Sequence, residues 1–225
     1  MARETIVPQG ELQGRLRVAA PLTFGPTHFA PVLAEMARPP PRLTVQTCYS
    51  DRFVDLVAEG FDCAIRVGYL QDSNLIARRF GPVYGKLVAS PDYIRLHGVP
   101  TTPDEVVDHE ALMQGTESWQ FMDGDRTISV RPRGRFKADN GTALVSAALA
   151  GLGLAWLPDD FTRHHIEAGR LVEVLAEYAA PPNGIYAVFP QRKHLPVRVR
   201  LWIEFLKQHF GQPAFWRAAP TYGRF

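Results

Sequence analysis

Four short stretches of this chain carry the polar groups that could hold a ligand. Leu22, Thr23 and Phe24 follow one strand-like run, Ser50 follows the next, and Arg66, Val67 and Gly68 end a third, while Asn140 and Gly141 open a later helix. Thr23 offers a hydroxyl just before a helix, where the first-turn N–H groups lack intrahelical partners and carry a partial positive charge. Such an end favours a carboxylate by about 0.3–1 kcal/mol. By itself the same Thr reads equally as a plain helix cap. Arg66 presents a planar fork that suits bidentate pairing with a ligand carboxylate, or with an acidic neighbour on the surface.

Catalytic signatures are missing. The chain holds no G-x-S-x-G, no H-E-x-x-H and no Walker loop. His164 and His165 are adjacent, so on a helix their side chains diverge by about 100° and do not chelate one ion together. Asp159 and Asp160 follow Pro158 and read as caps of the next helix. Cys48 and Cys63 lie in apolar strand-like runs without C-x-x-C spacing, which fits buried reduced thiols. The expectation is therefore a binding protein with no catalytic residue, no metal and no cofactor.

The elements that position these residues are read from periodicity. "RLRVAA" predicts a strand, "PTHFAPVLAEMAR" a helix, "RLTVQTCYS" a strand, "RFVDLVAEG" a helix and "CAIRVG" a strand, an alternation that implies a parallel sheet with right-handed crossovers. Phe29, Val32, Leu33 and Met36 form one apolar stripe. Further on, "TTPDEVVDHE" predicts a Thr-capped helix, and "WQFM", "DGD" and "RTISV" a hairpin. "ADNGTALVSAALAGLGLAWLP" parses as polar helix entry, helix, glycine turn and buried strand. Its apolar part falls short of the roughly 20 residues a membrane span needs. Its glycines close a helix, whereas a dinucleotide fingerprint needs glycines that open one. "LPVRVRLWIEFLKQHF" predicts a final helix with Leu195, Val199, Trp202 and Leu206 on one stripe.

Composition sets the outer bounds. With 225 residues, 46% of them hydrophobic, the chain can bury a core as one large domain or two lobes. A net charge of +2 lacks the basic excess of a phosphate-backbone binder. The cluster Arg192, Lys193, His194, Arg198 and Arg200 reads as a solvated helix face. The first residues lack the apolar core of a secretory signal, which predicts a cytoplasmic protein.

The ordered blocks "GRLRVAAPLTFGPTHFAPVLAEM", "DRFVDLVAEGFDCAIRVGYLQDSNLIARR", "ADNGTALVSAALAGLGLAWLP" and "GRLVEVL...GIYAVFP...VRLWIEFL" resemble the effector-binding domain of a LysR-type transcriptional regulator, over about Gly14 to Phe210. The resemblance implies an α/β fold of two Rossmann-like lobes, of periplasmic-binding-protein type II architecture, joined by two crossing strands. Lobe I is expected at 14–86 plus 190–215 and lobe II at 87–189, with a linker remnant at 1–13 and a tail at 216–225. The crossings are expected near Lys86 to Ala89 and Ala187 to Pro190. A small effector, an organic acid, is expected between the lobes, with Thr23 at the family's carboxylate-binding hydroxyl position. Leu22, Phe24, Ser50, Arg66 to Gly68, Asn140, Gly141 and Pro190 complete the expected contacts. The resemblance also implies a homodimer, with a tetramer open to the full-length form. In that dimer the first helix meets the neighbour's Gly141–Ala150 helix, where Ala147, Ala148 and Gly151 suit a close approach. The family's N-terminal winged helix-turn-helix has no counterpart in the sequence, so DNA binding is assigned to the full-length form. A solute-binding protein for uptake shares the fold and is the alternative; it needs an export signal.

Overall fold

The structure, a computed structural model, describes residues 14–22, 24–38, 43–68, 74–115, 118–179, 182–191 and 196–210. The first part of the chain forms β1 (Gly14–Ala20), a π turn (Gly25–Phe29) running into α1 (Ala30–Ala37), β2 (Leu43–Tyr49), β3 (Cys63–Gly68) and β4 (Leu75–Val83). Then come β5 (Gly85–Ala89), α2 (Pro91–His97), a 3-10 segment (Pro103–Asp108), β6 (Glu110–Met113), β7 (Trp119–Asp123), β8 (Arg126–Val130) and β9 (Arg133–Lys137). The last part holds α3 (Gly141–Leu149), β10 (Leu154–Pro158), α4 (Asp159–Glu167), β11 (Val172–Val174), a short 3-10 turn (Ala176–Tyr178), β12 (Asn183–Pro190) and α5 (Val197–Phe210).

Two compact units divide the chain, 14–81 with 185–210 and 82–184 among the described residues. The changeovers therefore fall within β4 and β12, a few residues before the expected Lys86–Ala89 and Ala187–Pro190. The pairing explains the difference. β12 and β4 are neighbours in the sheet of lobe I, whereas Lys86 to Val88 already pair with β10 in lobe II.

Lobe I carries a five-stranded sheet of order β2-β1-β3-β12-β4, with β1 parallel to both β2 and β3. Parallel strands bring their carboxyl ends to one edge, where open α/β sheets bind ligands. The register pairs Ala19 with Ala64, which sets Ile65 level with Ala20, so Arg66 to Gly68 continue past the end of β1. The α1 stripe is buried as its spacing predicts, at Phe29, Val32, Leu33 and Met36. On α5, Val199, Trp202 and Leu206 are buried as well, while Leu195 lies outside the described residues. The predicted helix over Arg52 to Gly60 is instead one closed turn. The Asp55 carboxylate accepts from the N–H groups of Val57 and Ala58, and the Glu59 N–H donates to the Asp55 carbonyl. The Glu59 side chain folds back to the Asp55 N–H, so the local polar groups satisfy the backbone without propagating a helix.

Lobe II has a mixed sheet of order β11-β5-β10-β6-β9, beside the hairpin of β7 and β8. Its strands are apolar on both sides because both faces are covered. Leu87, Ala89, Ala111, Met113 and Leu154 face one cluster with Tyr93, Trp119 and Phe121, while Val88, Leu112 and Ala155 face another with Leu144, Val145 and Leu171. Burying each large side chain in such clusters contributes about 1.5–3 kcal/mol. The expected Thr-capped helix is the 3-10 segment from Pro103. There the N-cap Thr102 makes no side-chain cap bond, while the Thr101 N–H and hydroxyl donate to the Glu105 carboxylate. Asp159 and Asp160 are the first two residues of α4 rather than caps, and Asp159 pairs with Lys86 and Arg163. On α4, His164 is exposed and His165 is buried.

Candidate functional site

The strand-end edge of lobe I is built by three junctions tied to one another. After β1 the chain turns at Pro21 and Leu22 and enters a helix through the π turn. Pro31, four residues after Thr27, has no N–H to donate and its ring crowds the Thr27 carbonyl, which accounts for the widened turn. Here Gly25 is required by close approach, since a Cβ at that position would stand 2.3 Å from the ring of Tyr49. The Leu22 N–H donates to Asp51 Oδ1 at 2.8 Å, and the Ser50 N–H donates to the Ala20 carbonyl at 2.9 Å. These bonds lock the β1 and β2 exits together.

Arg66, in the part of β3 that outruns β1, completes the edge. Its Nη1 donates to the Arg52 carbonyl at 3.2 Å, and its guanidinium carbon sits 4.7 Å from the centre of the Phe53 ring. Burial holds this guanidinium below the ordinary arginine range, and the nearby charge of Arg52 adds to the effect. The two arginines differ in what neutralises them. Arg52 is forked onto Glu59, with Nη1 to Oε1 at 2.8 Å and Nη2 to Oε2 at 2.5 Å. Arg66 has no carboxylate partner among the described residues. A half-buried cation in this state is relieved by an anion supplied from solution. Ser50 Oγ accepts from the Arg52 N–H at 3.3 Å, which leaves its hydroxyl hydrogen to donate.

The expected contacts separate as follows. Leu22, Ser50 and Arg66 to Gly68 all lie at strand ends on this edge; Gly68, at φ 108°, takes a conformation that favours glycine. Thr23 lies outside the described residues. Phe24 follows Leu22 but turns its ring inward against His28 and Phe29, so only its backbone faces the edge. Pro190 lines a different groove of lobe I, about 400 Å³ in volume, with Ile76, Arg78, Phe189, Arg200 and Lys207. In lobe II, Asn140 caps α3, its Oδ1 accepting from the N–H groups of Thr142 at 2.9 Å and Ala143 at 3.3 Å. Gly141 packs on the Phe161 ring. Ala147 and Ala148, expected at a subunit contact, are buried in the core of lobe II, because α3 turns Thr142, Ser146 and Ala150 outward instead. Asp51, Arg52, Phe53 and Glu59 were not singled out from the sequence. Their signal was an acid, a cation and an aromatic directly after a strand.

No helix among the described residues is long and apolar enough to cross a membrane. The LysR substrate binding domain family matches residues 9–211. The chain is 35% identical over 213 residues to the HTH-type transcriptional regulator PtxR of Pseudomonas aeruginosa, covering 92% of this chain and 68% of that protein. Among solved structures it is similar to full-length AphB, a virulence activator of Vibrio cholerae, with TM-score 0.74 and 32% identity over 88% of this chain and 69% of that one. The regulatory domain of CrgA from Neisseria meningitidis matches with TM-score 0.72 and 27% identity, over 88% of this chain and 100% of that one. The chain thus spans about two thirds of the longer regulators and the whole of an isolated regulatory domain. The family match over nearly the whole described chain and these relatives lead to one conclusion: the chain belongs to the LysR substrate-binding domain family, as the effector-binding domain of a LysR-type transcriptional regulator.

Proposed function

We propose that this domain senses a small organic carboxylate, which it binds at the strand-end edge of lobe I, and that it does so as a homodimer in the cytoplasm. The observation that carries the reading is Arg66: a half-buried guanidinium on a strand end, with no acidic partner among the described residues. The Ser50 hydroxyl is a second donor on the same edge. DNA contact belongs to the helix-turn-helix part of the longer relatives. An effector that binds one arrangement of the regulator more tightly than another shifts their balance, and couplings of about 1–3 kcal/mol suffice. Side-by-side pairing of α1 with the neighbour's α3 is supported by short outward side chains on both: Pro31 and Ala34 on one, Thr142, Ser146 and Ala150 on the other.

A thermal-shift screen against small organic acids tests the reading, because ligand at about 100 times its Kd adds roughly 2.7 kcal/mol of stability. The acids that shift wild type should leave Arg66→Ala unshifted while its unliganded melting point stays near that of wild type. Shifts of equal size in wild type and Arg66→Ala would remove Arg66, and with it the proposed site.

A further inference from the structure

The lobe I edge has an apolar side as well as a charged one. Phe53 is 75% exposed although its ring carries the Arg66 guanidinium, and Leu22, on the neighbouring junction, is 47% exposed. The edge thus presents an exposed aromatic surface in direct contact with a half-buried cation, a pairing of apolar and charged surface that one amphipathic ligand can meet. Building on the carboxylate reading above, we infer that Phe53 selects the effector: the ligand is a monocarboxylate with an aromatic or similarly bulky apolar body, rather than a small hydrophilic diacid.

The geometry supports a division of labour. The guanidinium lies with one face over the Phe53 ring, so its edge, where the N–H groups point, is the part that can pair with a carboxylate. A carboxylate held at that edge leaves its remaining atoms beside the part of the Phe53 ring that Arg66 does not cover. The Leu22 N–H is already committed to Asp51, so what Leu22 itself offers a ligand is its side chain. Arg52 cannot serve a second carboxylate while Glu59 is forked onto it. One anionic group and an apolar remainder match what the edge presents. A diacid would bring a second charge to a place whose other cation is already paired, next to the Asp51 carboxylate.

The test uses the full 225-residue chain and two probes, benzoate and malonate, titrated by heteronuclear NMR. Wild type should bind benzoate at least tenfold more tightly than malonate. Phe53→Ala should cut that ratio to about one, and Phe53→Leu, which keeps an apolar surface, should retain most of it. The exposed position of Phe53 keeps both variants folded, which their spectra verify. If both probes bind through Arg66 but the ratio is the same in wild type and Phe53→Ala, the selector role is overturned and the carboxylate site stands. If neither probe perturbs the wild-type spectrum, or if the probes shift the same resonances in Arg66→Ala as in wild type, the carboxylate site itself falls.

Discussion

Gly25 offers a direct measure of how tightly the lobe I edge is assembled. It lies in helical backbone, without the positive φ that would demand glycine, so local propensity alone favours alanine there by about 0.5–1 kcal/mol. The obstacle is tertiary. A Cβ would stand 2.3 and 2.6 Å from two ring atoms of Tyr49 and 3.2 Å from the Ala20 Cβ. Overpacking of this kind costs about 1–3 kcal/mol, so Gly25→Ala should destabilise lobe I by about 1–2 kcal/mol after the propensity gain. In a Tyr49→Ser background the ring is gone, and the same substitution should become neutral or stabilising. The coupling between the two positions should therefore reach about 2 kcal/mol. Urea unfolding followed by the fluorescence of Trp202, a fully buried tryptophan of lobe I, reads the four corners of the cycle. An equal cost in both backgrounds would refute the argument, for it would mean that Tyr49 does not hold the helix entry against the β2 exit.

Two further outcomes follow from buried titratable groups. In lobe II, burial holds the His165 imidazole below its ordinary value, with His164 and Arg170 adding to the effect, and burial does the same for His109, helped by His97 and opposed by Asp108 and Glu105. As pH falls below the ordinary histidine value of about 6.5, the unfolded chain takes up these protons first, so stability is complete above that pH and declines below it. Urea midpoints of wild type should fall between pH 7 and pH 5, and His165→Gln should flatten the decline; parallel curves would show that His165 does not contribute. In lobe I, burial pushes the Cys63 thiol well above the ordinary range, whereas Cys48 is partly exposed. Iodoacetamide should modify native Cys48 well before Cys63, which should react only once urea unfolds the lobe. Comparable native rates would contradict the packing of β3.

Much of lobe I was legible because its signals are local. The strands β1, β2 and β3 are short apolar runs, and the α1 stripe repeats at helical spacing, so burial follows from periodicity. β4 and β9 were not legible. β4 holds Arg78, Arg79, Gly81 and Pro82, and β9 reads Arg-Gly-Arg-Phe-Lys; both end their sheets, where cations and breaks in hydrophobicity are tolerated. The turn at Arg52 to Gly60 has apolar spacing that mimics a helix, but the Asp55 and Glu59 side chains close it after one turn. At the candidate edge, the strand-end positions of Ser50 and Arg66 were legible from the strand pattern alone. Phe24 could not be assigned correctly, since which way a side chain points after a turn depends on the π geometry that follows. Phe53 was hidden for the opposite reason: it sat inside an expected helix, where an aromatic reads as core.

The division of lobe I into two separated pieces of sequence affects how the protein is made. Phe29 on the early segment packs at a tilt against Phe210 at the end of α5, their centroids 4.8 Å apart, with Phe80 completing the group. On the ribosome the first three strands emerge long before the helix that covers them, and at about 5–20 residues per second the delay is of order ten seconds. Lobe II, uninterrupted from 82 to 184, can close during that wait. The nascent chain thus has a built-in order of assembly, in which the half bearing Arg66 stays open until translation has delivered α5.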